Sequence, residues 1–163
     1  YLITNAPESF FKLRSLLRDY AINNHDFTII DCPPNMGSFV LCALYASDFV
    51  IVPVKAGSAF SVEGLIRATK LIEEVKTKGN SDLNFLRLLI NSVDNRTAIS
   101  KAITSQLHNI FDENQVFETQ IPVNTAFEKA ESMGETIFQN DGTASGARAF
   151  RALAIELISI VGG

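Results

Sequence analysis

The chain has 163 residues, of which 47% are hydrophobic, and a formal net charge of −4 at pH 7. This length predicts one domain over residues 1–163, with a core that buries about two-thirds of the unfolded surface. No apolar run approaches the roughly 20 residues that a membrane span needs, and the acidic balance argues against a strongly basic nucleic-acid domain. The opening letters, YLITNAPESFF, lack a basic region followed by an apolar core, so no signal peptide is predicted.

Two cysteines, Cys32 and Cys42, are too few for a disulfide framework and have no metal-binding spacing. Both stand among apolar residues, which predicts reduced thiols in the core and a cytosolic protein.

Apolar runs rich in β-branched residues alternate with runs of helical periodicity along the chain. Strands are predicted at 27–31, 48–54, 84–93 and 116–122, and an extended turn at 136–138. Helices are predicted after Pro7 and at 38–46, 61–78, 97–111, 125–133 and 143–161. The alternation predicts an α/β fold: a doubly wound, mostly parallel sheet with helices on both faces.

The stretch IIDCPPNMG, residues 29–37, is the most distinctive in the sequence. Asp31 ends the predicted strand 27–31, and ligands of such sheets bind beyond the carboxyl ends of the strands. A carboxylate there can hold Mg²⁺, usually through water. Pro33 and Pro34 fix the path by which the backbone leaves the strand, and Gly37 is expected to let the chain turn. This pattern suits a segment that responds to the γ-phosphate of a nucleotide.

The segment FTIIDCPPNMG resembles the Walker B and switch II segment of the ParA/MinD-type ATPases, the deviant-Walker P-loop family. The resemblance extends over roughly residues 26–160 and is strongest for the partitioning ATPases. Its further segments are ASDFVIVPVKAGSAFSVEGL, LLINSVDNRTAISKAI, VFETQIPVNTAFEKAESMGETI and GTASGARAFRALAIEL.

The resemblance implies an ATPase that binds ATP and Mg²⁺, with Asp31 as the metal-positioning catalytic residue. It also implies a nucleotide site near Pro33, Pro34 and Gly37. Asn91 would contact the adenine edge, and the loop of Pro122, Val123 and Asn124 would lie along the base, largely through its backbone. Val123 stands where the family commonly has an arginine.

The phosphate-binding loop of the family, K-G-G-x-G-K-[ST], does not occur in the 163 residues, and neither does the acidic switch I segment. A phosphate cradle needs consecutive backbone N–H groups and a lysine. The chain is therefore expected to be the C-terminal two-thirds of a longer protein or a truncated form, and not to hydrolyse ATP alone. The alternative is a non-catalytic regulatory module that keeps the dimer face of the family.

The resemblance further implies a homodimer that closes on ATP, a centromere-binding partner protein, and nonspecific DNA as the track. Candidate phosphate contacts are Arg96, Lys101, Arg148 and Arg151. A local ion pair is the competing interpretation of Asp94 and Arg96, and Glu135 stands where a lysine is frequent. A membrane-surface relative is not expected, because the tail IELISIVGG has no basic residue. The protein is expected in the cytoplasm, where it would associate with the nucleoid if it binds DNA.

Overall fold

The computed structural model describes residues 8–35, 37–57 and 61–162. They group into two compact units. The first contains residues up to Val50 together with Ile66–Leu86, and the second contains Ile51–Leu65 together with the chain from Arg87 onward. The assignment of residues 1–163 to one domain stays a prediction.

The order of elements is that of an α/β protein, as predicted. A short 3₁₀ turn, Glu8–Phe11, leads into α1 (Lys12–Asn24), which is followed by α2 (Ser38–Ala46), β1 (Phe49–Lys55), α3 (Ser61–Lys78) and β2 (Asn84–Asn91). The chain then forms α4 (Ala98–Ile110), a 3₁₀ turn (Glu113–Gln115), α5 (Thr125–Ser132), α6 (Ile137–Asp141) and α7 (Ser145–Val161). Thr97 caps α4 as its position predicts, because its side chain accepts the N–H of Ser100.

β1 and β2 form a parallel pair. Their register follows from two bonds: the N–H of Asn84 donates to Asp48 O at 2.9 Å, and the N–H of Ala56 donates to Asn91 O at 2.9 Å. The segment from Val116 to Pro122 lies on the other side of β2, through parallel bridges that pair Leu88 with Val116 and Val93 with Pro122. The predicted α/β class with parallel pairing is confirmed.

The predicted strand 116–122 is wrong in its middle. Between the two bridges, the N–H groups of Glu118 and Thr119 donate to the carboxylate of Glu156 on α7. Because a backbone N–H that is bonded to a side chain cannot also continue a ladder, the pairing with β2 stops there and resumes at Ile121. A long-range side-chain acceptor of this kind is invisible to apolar periodicity.

The predicted strand 27–31 is also wrong, since the structure has no strand at these residues. Phe27 is 51% exposed and Ile29 is 88% exposed, so the run is not buried on either face as expected. Apolar composition favours a strand, but a strand forms only where a neighbour pairs with its backbone. No other part of the described chain pairs with this run.

β1 is likewise not the buried strand that its composition predicts. Phe49 is 47% exposed and Ile51 is 36% exposed, whereas Val54 is buried. β2 is the neighbour of β1 within the described residues, and Pro53, which has no N–H, is compatible with such an edge position.

Two smaller predictions also fail. The expected extended turn at 136–138 is the start of α6, where Thr136 and Gln139 form a capping box. Cys32 is exposed and Cys42 is half-buried, so Cys32 is not a core thiol. Both thiols are free.

None of the described helices is both long and apolar enough to cross a membrane.

Each unit has its own buried side chains. In the first unit, Asn80 is buried and donates to Leu44 O at 2.8 Å and to Ser47 O at 2.7 Å, while Arg14 donates to its side-chain oxygen at 2.9 Å. These bonds join α1 and the end of α2 to the turn after α3. In the second unit, the buried apolar side chains include those of Leu88, Ile90, Ile103, Leu107, Val116, Phe117, Ile121 and Ala147.

Candidate functional site

Asp31 lies at the wall of an open groove of about 470 Å³ in the first unit. The groove is lined by Ile30–Pro33 on one side and by residues of α1 and α2 on the others, among them Lys12, Leu16 and Phe39. The side chain of Asp31 is exposed, and Lys12 is the basic residue in the lining. An exposed carboxylate at the end of an apolar run can hold a hydrated cation.

The segment after Asp31 leads directly into α2. Pro33 and Pro34 are exposed, and Gly37 is the N-cap residue of α2 with φ −91° and ψ −172°. These are extended backbone angles that any residue adopts. The expectation that the turn uses the conformational freedom of glycine at this position is therefore wrong. The O atom of Gly37 accepts the N–H of Leu41 at 3.3 Å, which closes the first turn of the helix.

A metal would find few protein ligands here. Within the described residues, no three His, Cys, Asp or Glu side chains cluster as a metal site would require. Asp31 offers a single carboxylate, which fits an ion such as Mg²⁺ that keeps most of its waters and binds phosphate oxygens. The neighbouring thiol of Cys32 is protonated at neutral pH, because partial burial and the charge of Asp31 raise its pKa.

Asn91 ends β2, and the residue after it, Ser92, has a strained backbone conformation. Ser92 adopts φ +55°, a left-handed conformation that side chains rarely take, and its N–H donates to Asn91 Oδ1 at 2.7 Å. This bond fixes the orientation of the Asn91 amide, since only its oxygen can accept. No hydrogen bond from Nδ2 to another described residue accompanies it, so the amide donors remain for a ligand.

The loop 121–124 is bonded to the end of β2. The N–H of Val93 donates to Ile121 O and the N–H of Val123 donates to Val93 O, each at 3.0 Å. Both ends of the Asn124 side chain are bonded: its oxygen accepts the N–H of Ala126 at 2.9 Å, and Nδ2 donates to Ser145 Oγ at 2.7 Å. A ligand at this loop would therefore meet backbone groups and the exposed side chain of Val123.

An ion pair that bonds the segment just before this loop was not anticipated from the sequence. Arg87 Nη1 lies 3.1 Å from Glu156 Oε1, and both side chains are largely buried. The sequence does carry a signal for it: Arg87 is the one charged residue within β2 and Glu156 is the one acidic residue within α7. A lone charge in an otherwise apolar strand, and a lone acid in the apolar second half of a helix, indicate a pair but not the other groups that bond to it.

The candidate DNA contact Arg96 is held by Asp94. Its Nε and Nη2 donate to Asp94 Oδ1 and Oδ2, each at 2.9 Å, and the N–H of Arg96 also donates to Oδ1. These hydrogen bonds lower the pKa of Asp94 from 3.8 to about 2. The competing interpretation of a local ion pair therefore describes this arginine, although its side chain is 86% exposed.

The other candidate cations differ in how they are occupied. Arg148 Nη1 donates to Thr143 O at 2.6 Å, and Arg151 donates to Gly142 O while lying over the ring of Phe138. Lys101 is exposed near the start of α4, where no ion pair with a described residue engages it. Lys101, Arg148 and Arg151 thus keep their full charge for a phosphate, whereas Asp94 offsets the charge of Arg96.

Bonds of Ile90 and Val93 to the loop 121–124 bring the end of β2 at Asn91 near Pro122, Val123 and Asn124. Asp31, Pro33, Pro34 and Gly37 lie together in the first unit. Arg96 and Lys101 flank the start of α4, and Arg148 and Arg151 belong to the first turns of α7.

The first half of the chain matches a known protein family. Residues 3–85 match the model of a family described as an AAA domain, which is half of the chain.

Curated relatives share most of the chain. The chromosome-partitioning ATPase Soj of Thermus thermophilus is 37% identical over 149 residues, which cover 91% of this chain and 58% of that protein. The chromosome partitioning protein ParA of Myxococcus xanthus is 33% identical over 156 residues, covering 96% and 54%. The chain thus spans about half the length of the curated relatives it matches.

Solved structures agree with the fold. A cobyrinic acid a,c-diamide synthase from Mycobacterium smegmatis matches with a TM-score of 0.73 at 24% identity, over 99% of this chain and 59% of that one. The same enzyme with bound ADP and magnesium matches with a TM-score of 0.67 at 27% identity, over 94% and 56%.

Proposed function

Because this chain belongs to the ParA/MinD-type family of P-loop ATPases, we propose that the complete protein is a partitioning ATPase. It uses ATP-dependent dimerisation to position or segregate DNA cargo. The observation that carries this proposal is the 37% identity, over 91% of the chain, with a chromosome-partitioning ATPase. The neighbour with bound ADP and magnesium supports a nucleotide and Mg²⁺ as the ligands.

The proposed role of Asp31 is to hold Mg²⁺, or the waters bound to it, at the phosphates. The exposed carboxylate and the open groove beside it suit a hydrated ion. The ion would neutralise the charge on the phosphate oxygens, so that catalysis rests on positioning and charge stabilisation. Pro33, Pro34 and Gly37 would carry Asp31 on a defined path into α2 and make the segment responsive to the phosphate.

The proposed base contacts are the side chain of Asn91 and the backbone of residues 122–124. The amide donors of Asn91 would hydrogen-bond the edge of the base, because its oxygen is engaged by Ser92. The backbone of Pro122, Val123 and Asn124 would run along the base, since the Asn124 side chain is already bonded to Ala126 and Ser145.

The phosphate cradle would come from sequence outside these 163 residues, in which the motif K-G-G-x-G-K-[ST] does not occur. That observation also favours the second candidate, a non-catalytic module that pairs with a full-length family member. The complete sequence separates the two candidates: the motif upstream of Tyr1 selects the ATPase.

We further propose a homodimer that forms on ATP, a centromere-binding partner protein, nonspecific DNA as the track, and a cytoplasmic, nucleoid-associated location. Among the candidate cations, Arg96 would contribute least to DNA binding because Asp94 offsets its charge, whereas Arg148 and Arg151 bond neutral carbonyls and keep theirs. A net charge of −4 means that binding depends on a local patch and falls steeply with salt.

Sedimentation of the complete protein tests the dimer. We expect a monomer without nucleotide or with ADP, and a dimer with Mg²⁺ and a slowly hydrolysed ATP analogue. A matched variant, Lys101→Ala, should still dimerise, since its proposed role is confined to DNA. A mass that stays the same under all nucleotide conditions would contradict the proposal and favour the non-catalytic module.

A further inference from the structure

We propose that Glu156, paired with Arg87, is a positioning residue that holds the loop 122–124 in the path it needs for contact with the nucleotide base. This inference rests on the proposed function, because it assumes that the loop contacts the base. No group in the pair would touch the nucleotide.

The Glu156 carboxylate accepts three hydrogen bonds from two elements. Oε1 accepts from Arg87 Nη1 at 3.1 Å and from the N–H of Glu118 at 2.8 Å, and Oε2 accepts from the N–H of Thr119 at 3.0 Å. The side chain of Glu156 is only 14% exposed. Burial by itself would raise its pKa, but the two amides and the charge of Arg87 hold the pKa below its ordinary value. The carboxylate is thus charged at neutral pH, and both of its oxygens accept hydrogen bonds.

These bonds determine where the chain goes next. The N–H of Phe117 still bonds Leu88 O at 2.9 Å, whereas the next two N–H groups turn to Glu156. The ladder resumes when the N–H of Ile121 bonds Ile90 O at 3.0 Å. Glu156 therefore holds the backbone three to four residues before Pro122. A loosening of the chain there would reach the loop through the short stretch that bonds Ile90 at Ile121.

α7 also holds the far end of the same loop. Ser145, the first residue of α7, accepts from Asn124 Nδ2 at 2.7 Å. One helix thus fixes the chain on both sides of residues 122–123, through Glu156 before them and Ser145 after them. Such double attachment limits the positions that the loop backbone can take, which is what precise contact with a planar base requires.

A role limited to stability would have a different signature from a positioning role. Loss of a merely stabilising contact lowers the folded fraction and the apparent rate equally for every nucleotide. Loss of a positioning contact weakens the base contacts of properly folded protein, so it raises KM for ATP and reduces discrimination against a nucleotide with another base.

The experiment measures kcat and KM of the complete protein with ATP and with GTP. Glu156→Gln is the test variant. Both carboxylate oxygens of Glu156 accept hydrogen bonds, and the glutamine amide replaces one of these acceptors with an N–H donor. Ser159→Ala is the matched control on the same helix: its exposed hydroxyl donates to the backbone carbonyl of Glu156 and makes no bond to the carboxylate. We expect Glu156→Gln to raise KM for ATP and lower the ATP/GTP ratio of kcat/KM by about tenfold, with kcat for ATP within about twofold. Ser159→Ala should match wild type.

A second variant and a second readout keep the test decisive if Glu156→Gln does not fold. Arg87→Lys retains the charge and the Glu156 carboxylate, so it should shift the ATP/GTP ratio in the same direction by less. In wild type, the amide protons of Glu118 and Thr119 should exchange slowly with solvent, and Arg87→Lys should speed their exchange.

An ATP/GTP ratio equal to wild type in well-folded Glu156→Gln or Arg87→Lys protein would overturn the positioning role while leaving the proposed function intact. A wild-type protein that neither binds nor hydrolyses ATP would overturn both.

Discussion

The guanidinium of Arg96 forms a bidentate pair with the carboxylate of Asp94, two residues earlier, with two N–O distances of 2.9 Å. The pair closes the loop that leads from β2 into α4, where the Oγ1 of Thr97 donates to Asp94 O at 3.0 Å. Since Arg96 was a candidate phosphate contact, this geometry decides how much of its charge is available to a ligand.

The titration of Asp94 tests the pair directly. Its folded pKa of about 2 lies below the ordinary value of 3.8, so the pair stabilises the fold above pH 3.8 and is lost as the pH falls through about 2. Arg96→Gln should move the carboxyl pKa back toward 3.8, as measured by carboxyl ¹³C NMR. Lys101→Gln, which removes a charge outside the pair, should leave it unchanged. An Asp94 pKa that does not respond to Arg96→Gln would show that the pair does not form.

DNA retention should follow the availability of each cation. Lys101→Ala should lower the slope of log affinity against log salt by about one, whereas Arg96→Ala should lower it by less, because Asp94 already neutralises Arg96. Asp94→Ala should strengthen binding by freeing Arg96. The measurement is retention of random duplex at several salt concentrations, with the complete protein and ATP. A larger loss from Arg96→Ala than from Lys101→Ala would reverse this ranking, and no retention at low salt would exclude DNA as the track.

Gly146 in α7 leaves no room for a side chain. A Cβ there would lie 2.5 Å from Phe127 Cζ and 3.0 Å from Ile137 Cδ1. Gly146→Ala should therefore lower the free energy of unfolding by about 1–3 kcal/mol, despite the better helix propensity of alanine. Gly64→Ala in α3 is the matched control: a Cβ there meets nothing within 4 Å among the described atoms. It should raise the free energy of unfolding by up to about 1 kcal/mol. Equal effects of both substitutions in urea denaturation would contradict the close packing at Gly146.

The 163-residue chain by itself should bind ATP weakly or not at all. It contains base-contact candidates but no phosphate loop, and contacts to the base alone seldom hold a charged nucleotide. Calorimetry with Mg²⁺ and ATP should give a Kd weaker than about 100 μM, if any binding is detected. Low-micromolar, Mg²⁺-dependent binding would mean that the phosphates are held by residues not identified in this sequence.

Local sequence predicted the helices and the parallel pair well, because each carries its own signal. The bounds of α2 and α3 coincide with the predicted ranges, and Thr97 caps α4 as expected. The strand at 27–31 was predicted wrongly because its stability depends on a neighbour, which composition does not report.

Some positions of the candidate site residues were also predictable, because they follow from the local signals of the elements that carry them. The succession of β2, Asn91 and the loop 121–124 follows from the sequence, and the structure joins these residues by backbone bonds. Two kinds of contact could not be predicted from the sequence. One is the hydrogen bonding of Arg96, Arg148 and Arg151 to nearby acceptors. The other is the bonding of two backbone amides, those of Glu118 and Thr119, to Glu156. These depend on contacts between residues as many as 38 positions apart, or on side-chain geometry, which periodicity does not encode.

The most direct test of the proposed function is steady-state Mg²⁺-dependent ATP hydrolysis by the complete protein carrying Asp31→Ala, beside Asp26→Ala as a control. Both carboxylates are exposed and lie in the same irregular segment, so neither substitution should unfold the protein. We predict that Asp31→Ala loses at least about 100-fold in kcat and its response to Mg²⁺, whereas Asp26→Ala keeps the wild-type rate. A wild-type rate for Asp31→Ala would remove Asp31 from the site, and a wild-type protein without ATP turnover would contradict the partitioning ATPase itself.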